Sequence, residues 1–181
     1  MKHLLKILFL TLIIISCKNE NESNADLAKS DFELTADLTE FKSKMTESDT
    51  IKMWFDHSVC TYQGVERIRI TKKSDSLKIR AEFKEETFSD DPGWETVYEK
   101  TILVTDTIWK IEDFFSRNRE RLTPGEKDYG TLQVTHGETT LHYFTDGLVD
   151  LNQFMADYFE TMRELYPENK NEIYGYVYVD E

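Results

Sequence analysis

Arg67-Ile68-Arg69-Ile70-Thr71-Lys72-Lys73-Ser74-Asp75-Ser76-Leu77-Lys78-Ile79-Arg80-Ala81-Glu82-Phe83 is the stretch on which the fold turns. Ile68 and Ile70, then Leu77, Ile79, Ala81 and Phe83, alternate with charged residues on either side of Lys73-Ser74-Asp75-Ser76. A period of two marks a strand with one buried face, and the Ser/Asp cluster marks a turn. Pairing Lys72 with Leu77 sets Ile70 opposite Ile79 and Ile68 opposite Ala81. One face of this hairpin is then apolar. The other carries Arg67, Arg69, Lys78, Arg80 and Glu82, with Arg69 directly across from Arg80. Like charges so opposed cost a few tenths of a kcal/mol to about 1 kcal/mol. In a chain of formal charge −13, this basic strip is the most notable local feature. It is either a solvated face neutralised by neighbours such as Glu95 or Glu99, or a contact for an anionic ligand or partner.

Reading outward, Leu38, Phe41 and Met45 are spaced for a short helix, and Ile51, Met53 and Phe55 alternate like a strand. Beyond the hairpin, Ser89-Asp90-Asp91-Pro92-Gly93 is a turn by composition, and a strand follows from about Glu95 to Val104. Asp106 is placed to cap a helix reaching about Leu122, with Ile108, Ile111, Phe115 and Leu122 on one stripe and Thr123-Pro124-Gly125 as its end. A second hairpin spans Thr131 to Phe144. With its turn at His136-Gly137, Leu132 pairs with Leu141 and Val134 with Thr139. Asp150 is placed to cap a further helix, with Gln153 set for a capping box. Its buried stripe is Leu151, Phe154, Tyr158, Met162 and Leu165, and Pro167 stops it. Ile173 to Val179 then alternates, with Tyr174, Tyr176 and Tyr178 on one side, successive rings about 6.8 Å apart. A tyrosine ladder serves as sheet filler or as a surface for sugars or proteins. The order predicts an α+β fold over 32–181: a largely antiparallel sheet with two main helices packed on one face, a two-layer sandwich. Hydrophobic residues at 39% and aromatics at 13% suffice for one such core.

The N-terminus has a different character. Lys2, His3 and Lys6 precede an apolar run to Ile15, and Leu4 to Ser16 is 13 residues. As a helix that spans about 20 Å against roughly 30 Å of bilayer hydrocarbon, which is the size of a signal peptide rather than a span. Ile14-Ile15-Ser16-Cys17 closes the run. It resembles the lipobox of bacterial lipoproteins, with Ile where Leu is commoner. The resemblance covers residues 1–17 and implies cleavage before Cys17, a diacylglyceryl thioether on its sulfur, and stable membrane anchoring by two or three acyl chains. Residues 17–31 are then a polar tether with a reach of about 20 Å. Lys18 after the cysteine favours the outer membrane, and Lys18, Glu20 and Glu22 faintly resemble a surface-export tag.

No motif fixes a reaction. Cys17 is committed to lipid by the lipobox reading, which leaves Cys60 alone. His57 lies three residues before it, but a thiolate nucleophile needs an orienting third group as well as a base, and none is marked. No HExxH, paired CxxC, P-loop or GxGxxG occurs, so neither a metal nor a cofactor is implied. Paired carboxylates such as Glu85-Glu86, Asp90-Asp91 and Glu112-Asp113 are expected in any chain with 35 acids. The acidic balance argues against nucleic acid as a partner. The expectation is a membrane-anchored envelope protein that acts as a non-enzymatic binding or structural module for a protein or glycan. Its candidate surfaces are Tyr174/Tyr176/Tyr178 and Arg67/Arg69/Lys78/Arg80. An immunity-type inhibitor of a basic toxin and a hydrolase with an unrecognised site are the alternatives.

Overall fold

A computed structural model describes residues 30–59, 62–85, 93–124 and 131–175. Cys17, Cys60, Tyr176 and Tyr178 lie outside these residues, as do the signal peptide and all but the last two positions of the expected tether. The fold is α+β. Two helical turns, α1 (Leu34–Asp37) and α2 (Phe41–Lys44), lead into β1 (Thr50–Asp56), β2 (Gly64–Lys73), β3 (Ser76–Glu85) and β4 (Glu95–Leu103). Then come α3 (Ile111–Arg117), β5 (Leu122–Pro124), β6 (Leu132–His136), β7 (Thr139–Tyr143) and α4 (Gly147–Leu165). The sheet runs β4-β3-β2-β1-β6-β7-β5, with every neighbouring pair antiparallel. Among the described residues no helix is long and apolar enough to cross a membrane.

All the helices cover one sheet face. Ile51, Met53, Phe55, Ile68, Ile70, Leu77, Ile79, Leu132, Val134 and Leu141 point to it, and all are buried. From the helices come Phe41, Ile111, Phe114, Phe115, Phe154, Tyr158 and Met162, equally buried. Tyr158 lies flat on Phe55, with ring centroids 3.8 Å apart and planes 4° from parallel. Burying side chains of this size contributes roughly 1.5–3 kcal/mol each, so the face against the helices holds the fold together. Among the described residues nothing is layered over the opposite face.

The β2–β3 register is the one read from the sequence: Lys72 faces Leu77, Ile70 faces Ile79, and Arg69 faces Arg80. Other expectations need correction. In the β6–β7 hairpin Leu132 faces Tyr143 and Val134 faces Leu141. The loop is Gly137-Glu138, with Gly137 at φ +57°, a left-handed first turn position that glycine adopts at no steric cost. The shift of two residues preserves which side chains point inward.

The expected helix from Asp106 to Leu122 is shortened at both ends. Ile108 is 67 % exposed, and the Asp106 carboxylate accepts only the Trp109 amide, at 2.9 Å. The carbonyls of Asp106 and Trp109 both accept from the Lys42 ammonium at 2.9 Å. A charged donor on those carbonyls holds the segment as a turn that drives Trp109 into the core. Leu122-Thr123-Pro124 is an edge strand on β7, a position where a missing N–H is tolerated. Helix α4 starts at Gly147, and Asp150 reaches back to the amide of Asp146 at 2.7 Å rather than standing as the cap itself. Ser30, placed in the tether by sequence, is pinned to the domain by a 2.6 Å bond from Oγ to Asp49.

Candidate functional site

Two surfaces concentrate chemistry. The first is the sheet face without helices. Register alone aligns Lys52 (β1), Arg69 (β2), Arg80 (β3) and Glu99 (β4) in one row across the strands. The flanking rows hold Trp54, Arg67 and Glu82 on one side and Thr71, Lys78 and Thr101 on the other. Adjacent strands lie about 4.8 Å apart, so these charged heads are near neighbours. They line a shallow concavity of about 770 Å³.

Two of its arginines are engaged by carboxylates. Arg67 Nε donates to Glu82 at 2.6 Å, and its guanidinium sits 4.2 Å from the Trp94 ring centroid. Arg80 donates to Glu82 at 3.0 Å, to Glu99 at 3.2 Å and to the Thr96 hydroxyl at 2.9 Å. The Arg67 hydrogen bond, with Arg80 in support, holds the Glu82 carboxyl below its usual range despite its partial burial. Lys52, Arg69 and Lys78 are exposed and pair with no carboxylate among the described residues. Lys100 also borders the concavity, but its ammonium bonds Glu168 at 3.1 Å. The expected neutraliser Glu95 does not pair with the strip; Glu82 and Glu99 do. Five cations therefore meet two carboxylates here, in a chain whose overall charge is strongly negative.

The second surface is a cleft at the open end of the β2–β3 hairpin. Its floor includes His57, which continues the inward parity of β1 beyond Phe55. The His57 ring is 3 % exposed. It stacks on Phe159 at 5.2 Å and meets the edge of Phe83 at 5.2 Å. Its Nε2 lies 3.3 Å from Glu66, a fully buried carboxylate on the inward face of β2. Glu66 also accepts Tyr158 Oη at 2.7 Å and the Tyr174 hydroxyl. Tyr98 and Tyr174 hydroxyls lie 3.1 Å apart. Burial, and next the charge of Glu66, push the hydroxyls of Tyr98, Tyr158 and Tyr174 far above the ordinary phenol range. They remain donors.

Tyr174 is thus not a surface residue. It is fully buried, and the described part of the expected final strand, residues 173–175, is a turn. Asn169 makes that turn: its side chain donates to the Gly175 carbonyl at 2.7 Å and accepts the Tyr174 amide at 3.2 Å. The geometry brings together Arg67, Arg69, Lys78 and Arg80 and removes Tyr174 to the core. Sequence reading missed Lys52, Glu66 and the His57–Glu66 contact, although the inward parity of Glu66, two residues from Ile68, was a visible signal. No protein-family model matches this chain, no curated protein is detectably similar to it, and no solved structure matches it.

Proposed function

We propose that this chain is a lipid-anchored protein of the bacterial envelope, held by acyl groups on Cys17, whose helix-free sheet face binds an anionic polysaccharide. The observation that carries the binding reading is the row Lys52–Arg69–Arg80 with Lys78 beside it, three of its four cations free of carboxylate partners among the described residues. Folding has no use for like charges on adjacent strands, which oppose it. A polyanion laid across the strands relieves that repulsion. The lining favours a glycan over a protein. Apart from the cations and their two carboxylates the concavity itself is lined by Thr71, Thr101 and two isoleucines, while Trp54 and Trp94 stand beside it next to Arg67. Protein interface cores are depleted in lysine and built around aromatic anchors, whereas a hydrated carboxylated or phosphorylated glycan is held by spaced cations and hydroxyls. An anchor with a tether of about 20 Å suits a domain that meets a polymer near a membrane.

The test uses full-length protein in nanodiscs with polygalacturonate, neutral dextran and polyglutamate as probes. Polygalacturonate binding is expected to weaken at least about tenfold, or about 1.4 kcal/mol, in Arg69→Glu/Lys78→Glu. It should weaken likewise on raising salt from about 0.05 M to about 0.5 M. Binding no tighter than dextran, an unaffected double variant, or a clear preference for polyglutamate overturns the glycan reading. A Cys17→Ser chain that still sediments with membranes overturns the anchor.

A further inference from the structure

The cleft over His57 is separate from the cationic face and opposite in chemistry. It is open, with a volume of about 970 Å³, large enough for a drug-sized molecule. Its apolar wall comes from every neighbouring element: Val59 and Tyr62 from the β1–β2 connection, Phe83 from β3, Val97 from β4, Phe159 from α4, and Ile173 from the C-terminal turn. Val59 and Tyr62 are each 39 % exposed. Single exposed apolar residues are ordinary in a folded domain, whereas several converging on one concavity mark a binding surface.

The described charged groups of the cleft are all carboxylates, beside the neutral Asn171 amide and Tyr62 hydroxyl. Glu85, Glu95 and Glu172 line it, and no Lys or Arg does so among the described residues. None of the three carboxylates forms an ion pair among the described residues. His57 adds a buried ring whose Nε2 is turned to the Glu66 carboxylate at 3.3 Å. Burial and the negative charge of Glu85 both keep the Tyr62 phenol protonated, so the field of that carboxylate reaches the wall. Three aromatic rings, Tyr62, Phe83 and Phe159, add faces to which a cation is attracted. Backbone packing at this end is tight: a Cβ on Gly64 would meet Phe83 Cζ at 2.6 Å and Tyr62 Oη at 2.8 Å. The wall is therefore built around the absence of a side chain there.

From this geometry we infer that the cleft binds a small hydrophobic ammonium compound, its apolar body against Phe83, Val97 and Phe159 and its N–H donors toward Glu95 and Glu172. Charge selects the class. An anion of the same shape meets three carboxylates and no cation among the described lining residues, and a neutral alcohol leaves the carboxylates without a counter-charge. The site does not depend on the sheet-face reading.

The experiment titrates full-length protein in nanodiscs with 3-phenylpropylamine, 3-phenylpropanol and 3-phenylpropionate, read by calorimetry and by ligand-observed NMR. Empty nanodiscs supply the membrane blank. The amine is expected to bind at least about tenfold more tightly than the alcohol, and the carboxylate not at all. Glu95 and Glu172 are exposed, so Glu95→Gln/Glu172→Gln leaves the core untouched. That variant should weaken the amine about tenfold and leave the alcohol unchanged. Arg69→Glu/Lys78→Glu, on the other face, should leave amine binding as it was. Equal affinity for amine and alcohol, tighter binding of the carboxylate, or indifference of the amine to the Glu95/Glu172 substitutions overturns the inference.

Discussion

Replacing Tyr158 and Tyr174 together by Phe changes almost no volume but takes both hydroxyl donors from a fully buried carboxylate. Among the described residues Glu66 then keeps only His57, at 3.3 Å. A hydrogen bond to a charged group is worth about 1.5–3 kcal/mol, and stripping the partners from a buried charge costs about 3–5 kcal/mol. The double variant should therefore lose about 3–5 kcal/mol out of the roughly 5–15 typical of a domain. At about 2–4 °C per kcal/mol for a chain of this size, its midpoint should fall by about 6–20 °C. The loss has a specific origin, and a cycle isolates it. In a Glu66→Gln background the acceptor is neutral, so the same two substitutions should cost only about 1–2 kcal/mol, leaving a coupling of about 2–3 kcal/mol. Urea unfolding of the four proteins, with unchanged slopes, measures this directly. Each single Phe variant, at about half the loss, keeps the comparison possible if the double variant is too unstable to purify. Equal costs in the native and the Glu66→Gln backgrounds would show that the tyrosines are packing elements and that the carboxylate is not what they support.

The same cluster sets an alkaline limit. Burial, then the charge of Glu66, raises Tyr98, Tyr158 and Tyr174 well above their unfolded value, so their contribution is full below about pH 10 and shrinks as pH rises beyond it, by up to about 1.4 kcal/mol per pH unit for each ring. Tyrosinate absorbance should show these rings ionising only as the chain unfolds; smooth ionisation under an unchanged native circular dichroism spectrum contradicts this. At the acid end, Asp49 is 2 % exposed. Burial pushes its carboxyl upward, but bonds from Ser30, the Thr46 amide and hydroxyl, and His136 outweigh burial and leave it below the ordinary value. A depressed carboxyl stabilises above its unfolded value of about 3.9 and loses that contribution as pH falls through the folded value. Asp49→Asn should flatten the fall in urea midpoint below about pH 4, and parallel profiles would refute the assignment.

What the sequence discloses here follows the range of the interaction. The β2–β3 register was legible because two alternating runs flank a two-residue turn, Ser74-Asp75, with Ser74 at φ +53°; local geometry settled it. The β6–β7 register was misplaced by two because the turn was set one residue early, yet the core residues were still identified, since parity survives an even shift. The Asp106–Leu122 stripe looked like one helix because its interruption comes from Lys42, 64 and 67 residues away from the carbonyls it binds. Glu66 shows the same limit. Its inward parity is written in the strand, whereas the hydroxyls that make burial tolerable arrive from positions 92 and 108 residues distant. The basic strip is the converse case: both strands of one hairpin supply it, so four of its five cations could be named from local pattern, and only Lys52, brought by β1, could not.

Charge on the described residues is sorted, and folding does not require the sorting. Exchanging Arg69 alone for an acid would leave Ile68, Ile70, Leu77 and Ile79 buried and the core unchanged. It would also remove the repulsion between Arg69 and Arg80, which no carboxylate relieves on the Arg69 side among the described residues. The same strands that present Arg67 and Arg80 outward run on to Glu85 and the cleft, where carboxylates gather without a cation among the described residues. A sequence chosen for solubility intersperses the two signs. Here, among the described residues, a strongly acidic chain keeps three unpaired cations together on the sheet face away from the helices and three unpaired carboxylates together around its apolar cleft. Each arrangement costs self-repulsion that a ligand of opposite charge would relieve, so the two binding proposals call for ligands of opposite sign.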